Sequence, residues 1–337
     1  MPELPEVETI RRGLKKFILK RRILRVKILC DKSFIGPKSL IERQEIIRIR
    51  RFGKALVIDL QNRVSLMIHL RMTGQLVYRA VGAESGKDFI EMIESGDFKT
   101  ALYDKESFAG GHPTDSFFGE LPNKQTRVVF EIGTGQLAKK IIKNNVEEDK
   151  EREERADDGD SGLIGTLYFN DQRKFGFCKV LETAEVEQDS FIQKLAKEPW
   201  EMAENEFKQN LMRHKNSEIK PTILDQSVLA GLGNIYADEA LFLAKIHPER
   251  RVSTLVDEEI VALLGAAREV MQKSIDSGGS TMANYVKADG TKGDYLQKFA
   301  EVFRRDGQLC RRCGAEIIKI KVAGRGTHLC PNCQRKD

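Results

Sequence analysis

The sequence predicts an α+β protein of several domains, on three observations. One amphipathic helical segment precedes eight short runs with strand periodicity, the pattern turns helical from about residue 189, and two C-x-x-C pairs lie near the end of the chain. At 337 residues there is room for two domains or for one with an appendage, and 40% hydrophobic with 32% charged residues is an ordinary globular composition. No apolar run approaches the length of a membrane span and no secretory signal opens the sequence. A cytoplasmic protein without a membrane partner is therefore expected.

Within residues 6–20, Val7, Ile10, Leu14, Phe17 and Ile18 recur at helical spacing. The period then shortens. Residues 23–28, 45–50, 55–60, 64–70, 75–78, 127–132, 163–169 and 175–181 are alternating or β-branched runs, with Gln61-Asn62-Arg63 and Thr73-Gly74 as turns. Eight strands behind one helix imply a β-sandwich or barrel. Between 78 and 163 the pattern is poor apart from 127–132, with Gly and Ser clustered at 82–86 and 110–114. Helices are expected over 204–213, 222–230, 235–244 and 257–277, broken at Gly231-Leu232-Gly233 and His247-Pro248. The expected domains are 1–186, with a long insertion at about 80–163, then 187–297, and 298–337.

The net charge of +5 is modest, but its distribution is uneven. Residues 1–60 hold 16 Lys/Arg against 7 Asp/Glu, and residues 298–337 hold 10 against 4, while 147–160 carries 9 acids and 3 bases. Two basic ends suit a surface that neutralises phosphates, although most such charges in proteins only solvate a surface. The acidic stretch reads as a solvated loop that phosphates would repel, so deleting 145–160 is expected to leave affinity for any phosphate-bearing polymer unchanged; a large loss in a binding titration would refute this.

Cys310-x2-Cys313 and Cys330-x2-Cys333, separated by sixteen residues, can place four thiolates at the corners of a tetrahedron, as structural Zn²⁺ requires. A site saturated by four thiolates is closed, so one structural Zn²⁺ should hold the fold without catalysing. Arg311, Arg312, Lys319, Lys321 and Arg325 decorate the same segment, which suits a strand pair pressed on a nucleic-acid backbone. Cys30 and Cys178 fall in strands and read as buried, inert thiols.

At the other end, Pro2 follows the initiator Met. Its removal would leave a secondary amine, largely deprotonated not far above neutral pH because an α-amino pKa is about 8. Such a group can attack a sugar C1′, with Glu3 beside it to move protons. Taken alone, the dipeptide is better read as a helix start, with Pro in the first turn and Glu for the dipole.

Longer motifs remove that ambiguity. Met1-Pro2-Glu3-Leu4-Pro5-Glu6-Val7-Glu8-Thr9 resembles the start of the formamidopyrimidine-DNA glycosylases, which excise oxidised purines. His69-Leu70-Arg71-Met72-Thr73-Gly74, Asp171-Gln172-Arg173-Lys174-Phe175-Gly176, Ile219-Lys220-Pro221, the run Gly231 to Glu239 and the four cysteines follow in the same order. The region from about 80 to 163 is longer than that family usually has.

The resemblance implies a bifunctional DNA glycosylase and AP lyase of base excision repair, a monomer acting on damaged double-stranded DNA. It implies an N-terminal helix with an eight-stranded β-sandwich, a helix–two-turn–helix domain and a C-terminal zinc-finger β-hairpin. Pro2 would be the nucleophile and Glu3 the acid/base group, Lys54 would assist near the lesion phosphate, and Arg325 would serve the second elimination. Met72, Arg173 and Phe175 would fill the void left by an extruded base, Arg173 reading the opposite cytosine, although as isolated residues Met72 and Phe175 would more often be core. Asn234 would grip the backbone, with Lys215 and Lys220 flanking it, and residues 278–293 would form a lid. Glu239 would orient the site by hydrogen bonding. One departure is Gln125-Thr126-Arg127, where the family often has His-x-His, so Gln125 takes a histidine's place as an uncharged DNA contact. Two other functions compete: the related endonuclease VIII type, preferring oxidised pyrimidines, against which Leu4 and the Met72/Arg173/Phe175 set argue, and a catalytically silent zinc-ribbon module that binds DNA without covalent chemistry.

Overall fold

The computed structural model describes residues 2–82, 108–111, 119–134, 162–279 and 295–336. The acidic stretch 147–160 and all of the expected lid but Gly278 and Gly279 lie outside the described residues.

Helix α1 (Leu4–Ile18) forms because Val7, Ile10, Leu14 and Ile18 recur on one face, and all four are fully buried. It starts two residues before the expected segment 6–20 because Glu3 is its N-cap and Pro5 sits in the first turn, where a missing N–H costs no hydrogen bond. Among the described residues ten strands follow: β1 (Arg22–Ile28), β2 (Phe34–Ile35), β3 (Gln44–Phe52), β4 (Ala55–Leu60), β5 (Val64–His69), β6 (Gly74–Ala80), β7 (Phe108–Gly111), β8 (Thr126–Gly133), β9 (Leu163–Asp171) and β10 (Phe177–Glu182). Their order is β2-β10-β5-β4-β3-β1-β8-β9-β6-β7, antiparallel except for β2 against β10. In the middle, β1 and β3 share only the register pairs Arg22↔Glu45 and Ile23↔Gln44. The sheet turns over there into two layers, so Leu56, Ile58, Leu66 and Ile68 of one half meet Leu76, Val128, Phe130 and Phe169 of the other in one buried cluster. This is the expected sandwich, with ten strands among the described residues where eight were expected. The two additions are edge strands of two and four residues, too short to show a period, and β7 includes Gly110 and Gly111, in a stretch whose strand pattern is poor. A Cβ at Gly110 would overlap the Ile10 side chain, so glycine here lets β7 slide under α1.

Strands β4 and β5 are buried at every position. One face enters the sandwich core. The other, Ala55, Val57 and Met67, is covered by Val186 and Ile192 from the turn Thr183–Gln188 and the short helix α2 (Ser190–Gln193).

The helical region comprises α3 (Glu204–Met212), α4 (Ile219–Leu224), α5 (Asn234–Leu243) and α6 (Asp257–Asp276). The helix expected over 222–230 is corrected: α4 begins earlier, with Pro221 tolerated in its first turn, and stops where the Asp225 side chain accepts the Ser227 N–H at 2.8 Å. Leu4 of α1 is fully buried in the helical core beside Leu232 and Tyr236, so α1 anchors in both bodies. In the tail, β11 (Ile318–Val322) and β12 (Arg325–Leu329) form a hairpin through Ala323 and Gly324, both at positive φ as a type I′ turn demands. The tail packs on α5 through Phe242. Cys178 is buried in β10 as expected, its thiol pKa pushed up by burial, whereas Cys30 is half-buried in the bend after β1 rather than in a strand. Among the described residues no helix is long and apolar enough to cross a membrane.

Candidate active site and nucleic-acid interface

The N-terminus of α1 is seated on the turn before α5. The Leu4 N–H donates to Gly231 O at 3.1 Å and the Ile235 N–H donates to Glu3 Oε1 at 2.9 Å. A Cβ at Gly233 would overlap the Glu3 carboxyl, so the second glycine of Gly231-Leu232-Gly233 makes room for that carboxylate as much as for any ligand. Pro2 is buried beside it, and Glu3 is 2% exposed with its Oε2 lacking a hydrogen-bond partner. Burial pushes the Glu3 carboxyl up to about 7, with Lys54 pulling it down and Glu6 pushing it up further. Lys54, at the β3–β4 turn, donates from Nζ to Leu232 O at 2.8 Å across the two bodies, and burial lowers its pKa to about 8 against the opposing pull of Glu3 and Glu6. A buried carboxyl and ammonium whose pKa values straddle the neutral range, set beside Pro2, can exchange protons with a bound reactant.

Glu6 and Tyr236 complete this region, and the motifs gave neither a role. The Glu6 carboxylate accepts the Glu3 N–H at 2.8 Å and the Tyr236 hydroxyl at 2.6 Å. Apolar periodicity reads Glu6 as an ordinary first-turn acid, and only its burial reveals the contact. His69 is another such residue: it lies opposite Ala55 between the Phe177 and Phe191 rings, and burial holds its pKa at about 3, so the imidazole is neutral.

Met72, Arg173 and Phe175 sit on two adjacent loops, β5–β6 and β9–β10. Met72 is 42% and Phe175 55% exposed, so neither is core. Arg173 joins them, with Nη1 3.1 Å from Met72 Sδ and its guanidinium 4.9 Å from the centre of the Phe175 ring. Both loops hang on the fully buried Asp171, whose Oδ1 accepts the Thr73 hydroxyl and the Arg173 N–H and whose Oδ2 accepts the Gly176 N–H at 2.7 Å. Asp171→Ala strands these donors and is expected to cost about 1–3 kcal/mol per unsatisfied buried group. Urea unfolding would register the loss, and amide exchange at Arg173 and Gly176 should accelerate; unchanged protection would contradict the assignment.

Of the remaining expected contacts, Asn234 and Lys220 both reach Gly326, the residue after Arg325. Gln125 is half-buried beside this loop pair, its carbonyl accepting the Asp171 N–H at 2.9 Å. Lys215 is exposed. Asn234, first residue of α5, donates from Nδ2 to Gly326 O at 3.1 Å. Lys220 is fully buried, with its ammonium 2.6 Å from Asp238 Oδ1 and donating to Thr327 Oγ1 at 2.7 Å, so it faces protein rather than solvent. Arg325 is exposed at the start of β12 and close enough to lower the pKa of both Lys54 and Lys220. Arg312 donates to Phe242 O of α5, docking the tail, while Arg311 donates to Ala300 O within it. Glu239 accepts the N–H groups of Glu301, Val302 and Phe303 at 2.8–3.0 Å, fixing the chain as it enters the tail.

The four tail cysteines fit a metal. Their Sγ atoms all lie within 4.8 Å of one another, with Cys310–Cys333 at 3.9 Å and Cys313–Cys330 at 3.4 Å. Tetrahedral Zn–S bonds of about 2.3 Å put sulfurs about 3.8 Å apart. Cys310, Cys313, Cys330 and Cys333 hold one structural zinc.

Residues 1–178 match the family described as formamidopyrimidine-DNA glycosylase N-terminal domain, 195–286 its H2TH domain, and 307–335 a zinc finger found in FPG and IleRS. The chain is 34% identical to the formamidopyrimidine-DNA glycosylases of Pelotomaculum thermopropionicum, over 99% of both chains, and of Herpetosiphon aurantiacus, over 99% of this chain and 100% of that one. Among solved structures it is similar to a Lactococcus lactis FPG mutant bound to Fapy-dG containing DNA, at 31% identity, TM-score 0.74 and coverage of 99% of this chain and 100% of that one. The Lactococcus lactis Fpg with abasic site containing DNA matches at 31% identity and TM-score 0.73, over the same shares.

Proposed function

The chain belongs to the formamidopyrimidine-DNA glycosylase family of bifunctional glycosylase/AP lyases, and from that premise we propose that it excises 8-oxoguanine and formamidopyrimidines from duplex DNA through a Schiff base at Pro2. The observation that carries the reading is the buried Pro2–Glu3–Lys54 group assembled between the sandwich and the helical region.

Loss of Met1 exposes the Pro2 nitrogen, whose lone pair attacks C1′ while the bond from C1′ to the damaged base breaks; the base leaves with the bonding pair and takes up the proton that the Pro2 nitrogen sheds. Glu3 gives its proton to the ring oxygen, the sugar opens, and an iminium joins C1′ to Pro2. That iminium acidifies C2′, so loss of a C2′ proton expels the 3′ phosphate, and a second elimination expels the 5′ phosphate. Water then releases the sugar remnant and restores the amine. Lys54 stabilises the lesion phosphate and the Glu3 carboxylate formed in ring opening, and Arg325 supplies a cation for the second elimination.

Met72 and Phe175 are exposed apolar side chains able to occupy a vacated stack, with Arg173 held between them to read the opposite base. Asn234, Gln125 and Lys215 contact the backbone. We assign residues 1–186, 187–297 and 298–337 as the three domains, and the working form as a monomer on damaged double-stranded DNA.

Single-turnover cleavage of duplexes carrying 8-oxoguanine or thymine glycol tests the substrate, and faster excision of 8-oxoguanine is expected. Preference for thymine glycol would move the protein to the endonuclease VIII type. Zinc serves as a structural clamp. Chelation or Cys313→Ser should therefore loosen the hairpin and weaken lesion binding while the two larger cores persist; unchanged binding in a gel-shift titration would count against the role given to the tail.

A further inference from the structure

We infer that the buried Lys220–Asp238 pair is a positioning device that sets Arg325 for the second elimination, rather than a contact to DNA. The inference rests on the proposed role of Arg325, and it revises the part expected of Lys220.

The geometry is closed on every side. The Lys220 ammonium lies 2.6 Å from Asp238 Oδ1 and donates to Gly326 O at 3.1 Å and to Thr327 Oγ1 at 2.7 Å. The other Asp238 oxygen, Oδ2, accepts the His328 N–H at 2.9 Å and lies 3.3 Å from His328 Nδ1. Both Lys220 and Asp238 side chains are fully buried. The pair therefore grips three consecutive residues of β12, Gly326, Thr327 and His328, that directly follow Arg325. Asn234 adds a second donor to Gly326 O. His328 Nε2 in turn lies 3.3 Å from Asp306 Oδ1, tying the strand to the entry of the tail.

An ammonium whose surroundings are filled by three protein acceptors has no face to offer a phosphate. What it can do is fix the height and rotation of β12 against α4 and α5, which carry Lys220 and Asp238. The exposed Arg325 side chain hangs from the first residue of that strand, beside the two-residue turn at Ala323 and Gly324. Zinc holds the far end of the hairpin through Cys330, and the ion pair holds the near end.

The test separates excision from the second elimination. Lys220→Met, Thr327→Val and Arg325→Gln, each in the full zinc-loaded protein, are compared with wild type on an 8-oxoguanine duplex. Base release, the β product with an unsaturated aldehyde and the β,δ product with a 3′ phosphate are quantified on a sequencing gel, and zinc is measured per chain. Lys220→Met is expected to slow conversion of the β to the β,δ product by about ten- to a hundredfold, the scale of an ångström-sized misplacement, with base release within about threefold of wild type. Thr327→Val removes one acceptor at nearly constant shape and should move the same ratio in the same direction by less. If Lys220→Met loses zinc or fails to fold, the Thr327→Val ratio decides. A normal product ratio in the folded variant, or base release and second elimination falling in step, overturns the inference. If Arg325→Gln itself leaves the ratio unchanged, the reading of Arg325 fails instead.

Discussion

Protein that keeps Met1 is expected to form no covalent complex with lesion DNA under borohydride, whereas processed protein should cross-link through Pro2. The physical reason is the nitrogen. In the processed chain it is a secondary amine of ordinary α-amino basicity, near 8, and enough of it is neutral at physiological pH to attack carbon. With Met1 attached the same atom is an amide, its lone pair delocalised into a carbonyl. Pro2→Gly retains an amine but loses the ring that locks the backbone ahead of Glu3, and is expected to trap at least about a hundredfold less. Mass spectrometry of the trapped species gives the decisive reading. A cross-link that maps elsewhere, or nicking by protein shown to retain Met1, would remove the foundation of the proposed chemistry.

The second large effect concerns Glu3. Glu3→Gln is expected to slow base release by about 10²–10⁴-fold, the span of general acid–base contributions. Its pH dependence follows from the direction of the shift. Burial raises the Glu3 pKa to about 7, so the carboxyl is protonated and able to act as an acid below that pH and is lost as one above it. The Pro2 amine works in the opposite sense, becoming nucleophilic as pH rises toward 8. Single-turnover base release should therefore be bell-shaped, with the descending limb belonging to Glu3. Lys54 favours the Glu3 carboxylate, so Lys54→Met should lower the rate and also move the descending limb to higher pH. Glu3→Gln should abolish that limb. A descending limb that survives in Glu3→Gln at its original position would assign the acid to another group.

Some features were legible early because their chemistry is local. Two C-x-x-C knuckles imply a tetrahedral thiolate site whatever surrounds them, and the four Sγ atoms do cluster. The apolar stripe of α1 and the periodic strands of the sandwich also emerged, since a face of side chains is set by spacing along one segment. Features that depend on contact between distant segments did not. β7 has four residues, two of them glycine, and exists because α1 lies above it. Glu6 looks like a helix-start acid until Tyr236, 230 residues away, is placed against it.

Lys220 makes the distinction most clearly. In a motif that resembles the family's and flanks the Asn234 turn, this lysine reads as a DNA contact, and only the docking of β12 106 residues further along the chain turns it inward. The order of amino acids was enough for the α+β class, the metal-binding residue set and, through its ordered motifs, the family. The folded chain was needed to show which charged groups are desolvated, which oxygens they meet, and hence how Glu3, Lys54 and Lys220 ionise and where Arg325 stands. Periodicity and ligand spacing are properties of a single stretch of chain, whereas burial and electrostatic partnership arise only when separate stretches exclude water from one another.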